Sequence, residues 1–513
     1  MDNSSHTASI HILDDDSLLN IFYLYRPVVI FDGKKYEDQD HGDLEGRDYG
    51  GARIPERWWY KPAQVCQRWR KIILGSASYL DLCLVCTYGT PVADMLAHSP
   101  PLPLVIDFFR THGEITTEDE EGILLALDRR DRVCGLRLLI NDPNLRDLIM
   151  AIGDEYPELE CLVMTLNVER DMAFMLPTTF QTPRLRHLIL KGFVLPKGSP
   201  LFATAVGLVT LTLYMEYASA YFDPNTLLHW ISFMPQLEAL SVVSHRNLSE
   251  ERRRVPKPIV TRRVTLPNLR RVVLECASSY IEAVVCQIST PLLETLQIRF
   301  FWDRTFFVPG LFQFVNITET LRFECAKFKF SESGVCVDFY PRVETKTYPL
   351  SIFIYCDDHN WQVTAAAQVF KSLGQKFSTV EHLTLEHRWA VVWRVHNLHY
   401  LTSKRNDKVD RTKWRELLRP FSNVKTLHVD NELVKELSLI LPPVDGELAL
   451  ELFPELQKLI YYGDTGDAFT PFIDARQNTG RPVTLVRSSP RSVTWRSRSS
   501  SRSESSAGFL GVV

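Results

Sequence analysis

The chain has 513 residues, 45% of them hydrophobic and 23% charged, with a formal net charge of -4. That length holds several domains or one long repeat array, and the apolar share suffices for a continuous core. So small a charge on so long a chain supplies no global pull towards nucleic acid or an anionic membrane.

Met1 to Ser9 is polar, with no apolar run behind basic residues, so it does not read as a secretory signal. No uninterrupted apolar stretch reaches the about 18 to 20 residues of a membrane helix. Leu201 to Tyr221 comes nearest and is broken by Tyr214 and Glu216. The ten cysteines follow no disulfide spacing and read as buried thiols of a reducing compartment. A soluble chain in the cytoplasm, the nucleus or both is expected, one in which the sequons at Asn247 and Asn316 carry no meaning.

Residues Ile12 to Phe22 begin a helix. Asp14, Asp15 and Asp16 suit the positive end of its dipole, and Leu18, Ile21 and Phe22 share one face at i, i+3 and i+4. Asp32 to Arg57 is charged, Gly-rich and without periodicity, which predicts a loop over 32–57. A second helix follows from Pro62, with Val65, Trp69 and Ile72 on its apolar side and Cys66 and Arg70 beside them.

Beyond residue 130 one phrase recurs: leucine-like residues at i, i+3 and i+5, often with Pro two places before the first. Clear copies are Leu159/Leu162, Leu185/Leu188/Leu190, Leu237/Leu240/Val242, Leu269/Val272/Leu274, Leu293/Leu296/Ile298 and Leu456/Leu459. Weaker copies run through Val133/Leu136/Leu138, Leu208/Leu211/Leu213, Val380/Leu383/Leu385 and Val424/Leu427/Val429. Poor ones fall at Thr318/Leu321/Phe323 and Leu350/Ile352/Ile354. Positions i+3 and i+5 point to one face of a short strand, the residue at i anchors the turn into it, and the Pro stops the preceding helix.

The segments between copies carry helical stripes: Leu145, Leu148, Ile149 and Ile152 behind an N-cap at Asp142; Leu227, Leu228, Ile231 and Met234; Ile281, Val284, Val285 and Ile288. Steps of roughly 23 to 32 residues match one strand plus one helix per unit. The fold class expected is therefore α/β: a leucine-rich-repeat-like solenoid, parallel sheet inside and helices outside, over 131–486. The step from Val380 to Val424 is too long for one unit, and its excess, 388–415, reads as an inserted loop suited to binding.

No catalytic constellation emerges. Cys83 and Cys86 form a lone CxxC whose thiols would face opposite ways on a strand, and His396 with His399 lacks a carboxylate partner. His382 and His387 sit on a repeat. Glu118 to Glu121 decorate a helix start after Thr116. No cofactor, metal or catalytic residue is expected. From 487 to 513 the chain is rich in Ser and Arg, cannot build a core, and reads as a disordered tail open to phosphorylation.

The leader through Leu13, Asp16, Leu18, Ile21 and Phe22, followed by Val65, Cys66, Trp69 and Arg70, resembles an F-box. Its continuation through Tyr79, Leu80, Leu82 and Leu84 to Pro100-Pro101 is similar to the lead-in of F-box proteins from mushroom-forming (basidiomycete) fungi. Two departures stand out: Asp14 occupies a position where the family usually has Pro, and the 32–57 insertion separates the helices. The resemblance implies an F-box-like module over 8–80, a linker or solenoid cap over 81–130, then the repeats.

It further implies that Leu13, Asp16, Leu18, Ile21, Phe22, Val65, Cys66 and Trp69 dock on a Skp-type adaptor and through it a cullin. The repeats would hold an unknown protein substrate on residues such as Arg184, Arg186, Glu238, Arg270, Glu294, Glu381 and Lys425. Two rivals remain open: a repeat scaffold with no ligase link, and an enzyme of unfamiliar α/β fold.

Overall fold

Leucines two apart in a strand share one side, so a run of such strands sheds its apolar surface only by stacking with its neighbours and roofing that side with helices. The computed structural model has this arrangement. It describes residues 12–26, 58–109, 115–140, 148, 151–153, 155–166, 174–196, 198–215, 220–244, 263–301, 306, 308–342, 348–356, 358–371, 374–387, 410–442, 452–462 and 467–488. The expected N-cap at Asp142, the 32–57 loop, residues 388–409 of the expected insertion with the His396/His399 pair, and the chain beyond Ser488 lie outside the described residues.

Three helices come first: α1 (Asp15–Tyr25), α2 (Tyr60–Val65) and α3 (Gln67–Gly75). The sheet opens with β1 (Leu84–Cys86), α4 (Val92–His98), β2 (Leu104–Phe108), α5 (Thr117–Leu127), β3 (Val133–Ile140) and β4 (Cys161–Leu166). It continues through β5 (Phe174–Met175), β6 (His187–Lys191), β7 (Phe193–Val194), α6 (Leu201–Thr204), β8 (Thr210–Met215), α7 (Pro224–Ile231) and β9 (Ala239–Ser244). Then come β10 (Val264–Thr265), β11 (Arg271–Cys276), α8 (Ser278–Val285), β12 (Ile288–Ser289), β13 (Thr295–Phe300) and α9 (Pro309–Ile317).

The last third holds β14 (Cys325–Ser331), β15 (Gly334–Tyr340), β16 (Leu350–Tyr355), α10 (His359–Lys371), α11 (Gly374–Phe377) and β17 (His382–His387). It ends with α12 (Arg411–Leu418), β18 (Thr426–Val429), α13 (Asn431–Ile440), β19 (Lys458–Tyr462), α14 (Thr470–Asn478) and β20 (Thr484–Ser488).

Sixteen of these strands form one sheet in the order β1-β2-β3-β4-β6-β8-β9-β11-β13-β16-β15-β14-β17-β18-β19-β20. The repeat leucines stand in register across it: Leu188 beside Leu211, then Leu240, Val272, Leu296 and Leu350. The turn leucines Leu185, Leu208, Leu237, Leu269 and Leu293 are fully buried beneath them. Helix stripes such as Leu227, Leu228 and Ile231 join the same core. Asp223 caps α7 by accepting from the Asn225 and Thr226 amides, with Pro224 in the first turn. Buried residues at the alternating strand positions, such as Val85, Val163, Cys336 and Phe353, stand apart from that core on the other face of the sheet, which is helix-free among the described residues.

The solenoid reading holds, with four corrections. The sheet begins at Leu84 and not at 131, so β1 and β2 occupy what looked like a linker. Residues 411–415, assigned to the inserted loop, belong to α12, where Trp414 is buried 5.4 Å from the Phe330 ring. Arg487 and Ser488, placed in the tail, end β20.

The largest correction concerns Thr318/Leu321/Phe323, which forms no strand. The strand lies further on, in β14, and turns back at once through the two-residue loop Glu332-Ser333 into β15. β15 is antiparallel to both β14 and β16, while β16 pairs parallel with β13 and β14 parallel with β17. A three-stranded meander is thus built backwards into an otherwise parallel sheet. Ala326, Phe328, Phe330, Val335, Val337 and Phe339 keep its apolar side in the common core.

Candidate docking surfaces

In the N-terminal module Asp14, placed where the resembled family has Pro, acts as a helix cap. Its carboxylate accepts from the Ser17 amide at 2.7 Å, which holds its pKa below the usual carboxylate value. Leu18 and Phe22 are buried, and the Phe22 ring meets Trp69 of α3 edge-on at 5.0 Å. Cys66 caps α3, its sulfur accepting from the Trp69 amide at 3.5 Å. Arg68 reaches back to α1, donating to the Leu13 carbonyl at 2.6 Å and to Asp15 at 2.8 Å. Trp59 Nε1 donates to the Cys83 carbonyl at 3.2 Å, so the module is tied to the first strand of the sheet.

The residues expected at an adaptor contact therefore separate into three groups. Leu18 and Phe22 are core, Leu13, Cys66 and Trp69 are half-buried, and Asp16, Ile21 and Val65 are exposed. Sequence reading missed Leu24 and Tyr25. With Ile21 they make a second apolar stripe on α1, at i, i+3 and i+4, and Leu24 is 82% exposed. A helix apolar on two sides was the available signal, since one side is enough for a helix that only covers its own core.

On the helix-free face, side chains from neighbouring strands meet directly. Around the backward meander they form a buried polar group. Glu275 of β11 accepts from Arg299 of β13 at 3.2 Å and from the Tyr355 hydroxyl of β16 at 3.1 Å. Asp338 of β15 pairs with Lys329 of β14 at 2.9 Å and accepts from Ser351 of β16 at 2.7 Å. Phe301 stacks on Tyr355 at 5.4 Å, and Phe353 meets it edge-on at 4.5 Å.

The charged residues expected to face a substrate lie in the turns that enter the strands. Arg184 pairs with Glu158, Arg270 with Glu294, and Lys425 with Glu381 at 2.6 Å, each across neighbouring repeats. Exposed pairs of this kind contribute little stability and spend part of their charge on one another.

Burial pushes the Cys134 and Cys161 thiols up to about 12 and Cys83 to about 11, which makes them poor ligands and poor nucleophiles. Among the described residues no three His, Cys, Asp or Glu side chains are grouped to hold a metal ion. None of the described helices is long and apolar enough to cross a membrane.

No family model matches the chain, and no curated protein matches it. Among solved structures it is similar to the leucine-rich repeat-containing protein LegL7 from Legionella pneumophila, at 11% identity over 79% of this chain and 99% of that one. The TM-score of 0.22 is too low for that likeness to carry an argument.

Proposed function

We propose that this chain is a non-catalytic substrate receptor of a cullin-type ubiquitin ligase, working in the cytoplasm or nucleus. Its N-terminal helices dock on a Skp-type adaptor, and its repeat sheet holds a protein substrate. One observation carries the reading. Ile21, Leu24 and Tyr25 of α1 and Val65 of α2 stay exposed beside an already closed Leu18–Phe22–Trp69 core. Small modules that leave such a stripe open offer a helix face to a partner groove. The F-box-like spacing of the same segment points to the adaptor as that partner.

Co-expression of the full chain with a Skp-type adaptor tests this. The adaptor should co-purify, and Ile21→Asp with Val65→Asp should remove it while leaving the far-UV spectrum and melting temperature unchanged. Failure of the unaltered chain to capture the adaptor defeats the proposal.

A second reading is a repeat scaffold for protein interaction with no ligase link, its helices serving as a cap. The Trp59 bond to Cys83 and the burial of Leu80 and Leu82 against the first strands favour it. Under that reading the double aspartate variant binds every partner as well as the original chain does.

A further inference from the structure

The helix-free face over β17, β18 and β19 departs from the rest of the sheet. His382 and Thr384 of β17 stand beside Thr426 and His428 of β18, and Thr426 stands beside Lys458 of β19. Lys327 of β14 adjoins Thr384 in the same row. All alternate with the inward Leu383, Leu385, Leu427, Val429 and Leu459, so they share one surface.

Their charges do not cancel. Lys327 is matched by Glu386 at 2.6 Å and Lys425 by Glu381. The ammonium of Lys458, on an exposed residue, has no carboxylate within ion-pair reach among the described residues. The His428 imidazole registers the excess. Burial lowers His428, and so do His382, Lys458 and Lys327, against Glu386 alone. Burial lowers His382 too, together with Arg342 and Lys425, against Glu381 and Glu324. Both rings are therefore mainly neutral at pH 7, chiefly through burial.

We propose that this patch binds an acidic segment of a partner protein, laid across β17 to β19 with its carboxylates on Lys458, His428 and His382 and its backbone within reach of the Thr384 and Thr426 hydroxyls. The inference concerns the protein-holding half of the proposed function and is independent of the adaptor. An extended segment turns alternate side chains to one face, so successive Glu or Asp residues reach Lys458 and the two imidazoles in turn. Nucleic acid fits less well. Cations here are interleaved with Thr384, Thr426 and Ile460, which offer no platform for bases to stack on.

The neutral imidazoles give the proposal a signature. An arriving carboxylate raises the pKa of both rings, so binding takes up protons and tightens as pH falls through the ordinary imidazole range. The probe is a fluorescein-labelled decapeptide of alternating Glu and Ser, titrated against the full chain at low salt at about pH 7.5 and about pH 6. Calorimetry in buffers of different ionisation enthalpy counts the protons.

Tighter binding at the lower pH, with net proton uptake, is expected. Lys458→Gln should weaken it about tenfold, and His428→Gln should abolish much of the uptake. Both changes fall at solvent-accessible positions and leave the core untouched. No binding at the lower pH, or binding indifferent to both variants, overturns the proposal, as does a uridine decanucleotide that binds this patch more tightly than the peptide. Loss of adaptor capture would leave these titrations unaffected, so the two readings fail separately.

Discussion

Replacing Asp338 by Ala tests whether the backward meander is held by its buried ion pair. The Asp338 side chain is 1% exposed and that of Lys329 13%, so the substitution strands an ammonium with little water to reach. Removing one member of a buried pair costs about 3 to 5 kcal/mol. The Lys329 ammonium also lies 5.6 Å from the Tyr348 ring centroid, and such a contact retains part of its stabilisation.

The lower end, about 3 kcal/mol, is therefore expected, which corresponds to a roughly hundredfold rise in amide exchange if it falls on local opening. Exchange should quicken in β14, β15 and β16 and stay unchanged in β4 to β9, since repeats communicate mainly with their neighbours. Adding Lys329→Met should recover much of the loss, because an apolar pair of similar volume costs no desolvation of charge. If Asp338→Ala alters exchange less than fivefold, or the double variant is no better than the single, the ion pair does not hold the meander.

Two further outcomes follow from the same geometry. Phe22→Ala should destabilise the N-terminal module by about 3 to 5 kcal/mol, as for other buried aromatics, whereas Ile21→Ala should change it by less than about 0.5 kcal/mol. Exchange protection in α1 and α3 distinguishes them, and equal effects would refute the division into core and docking stripes. The pKa values of His187, His382 and His428 are all lowered, chiefly by burial, so the unfolded chain binds their protons more readily. Stability is then intact above about pH 6.5 and declines as pH falls below it. Urea midpoints at about pH 7.5 and about pH 5.5 check the sign.

The repeats were legible because one rule served both the strand and the turn: Leu185 fixes the turn, and Leu188 and Leu190 fix the inward face. The meander was legible in principle. Ala326, Phe328 and Phe330 alternate, Glu332-Ser333-Gly334 gives the turn, and Val335, Val337 and Phe339 alternate again. The spacing between repeats does not reveal this period-two pattern, because the hairpin falls within one such interval. On α1 the helical spacing puts Leu18, Ile21 and Phe22 on a single face. Only burial separates Leu18 and Phe22 from Ile21 and Leu24, and a one-dimensional pattern does not say which of two apolar stripes a partner will meet.

A different rule, invisible as a motif, works beside the leucine phrase. Carbonyls in the turns before the strands are buried where no neighbouring strand reaches them, and a long cation from an adjacent repeat satisfies several. Arg132 donates to the Leu102 carbonyl at 3.0 Å, and Lys376 to those of Thr318 and Leu321 at 2.8 and 3.2 Å. Arg476, fully buried, donates to Phe453, Pro454 and Leu456. In all three cases the cation comes from the segment leading into one strand and holds the turn leading into the strand beside it.

Burial lowers the pKa of Lys376 and of Arg476, the cost of placing a charge there, and the carbonyl bonds offset it. Such a lock needs reach and charge but no fixed position in the repeat, so Lys serves at one turn and Arg at another. That freedom lets the sequence drift from a strict leucine period while the sheet keeps its register, and it leaves the helix-free face open to carry chemistry of its own.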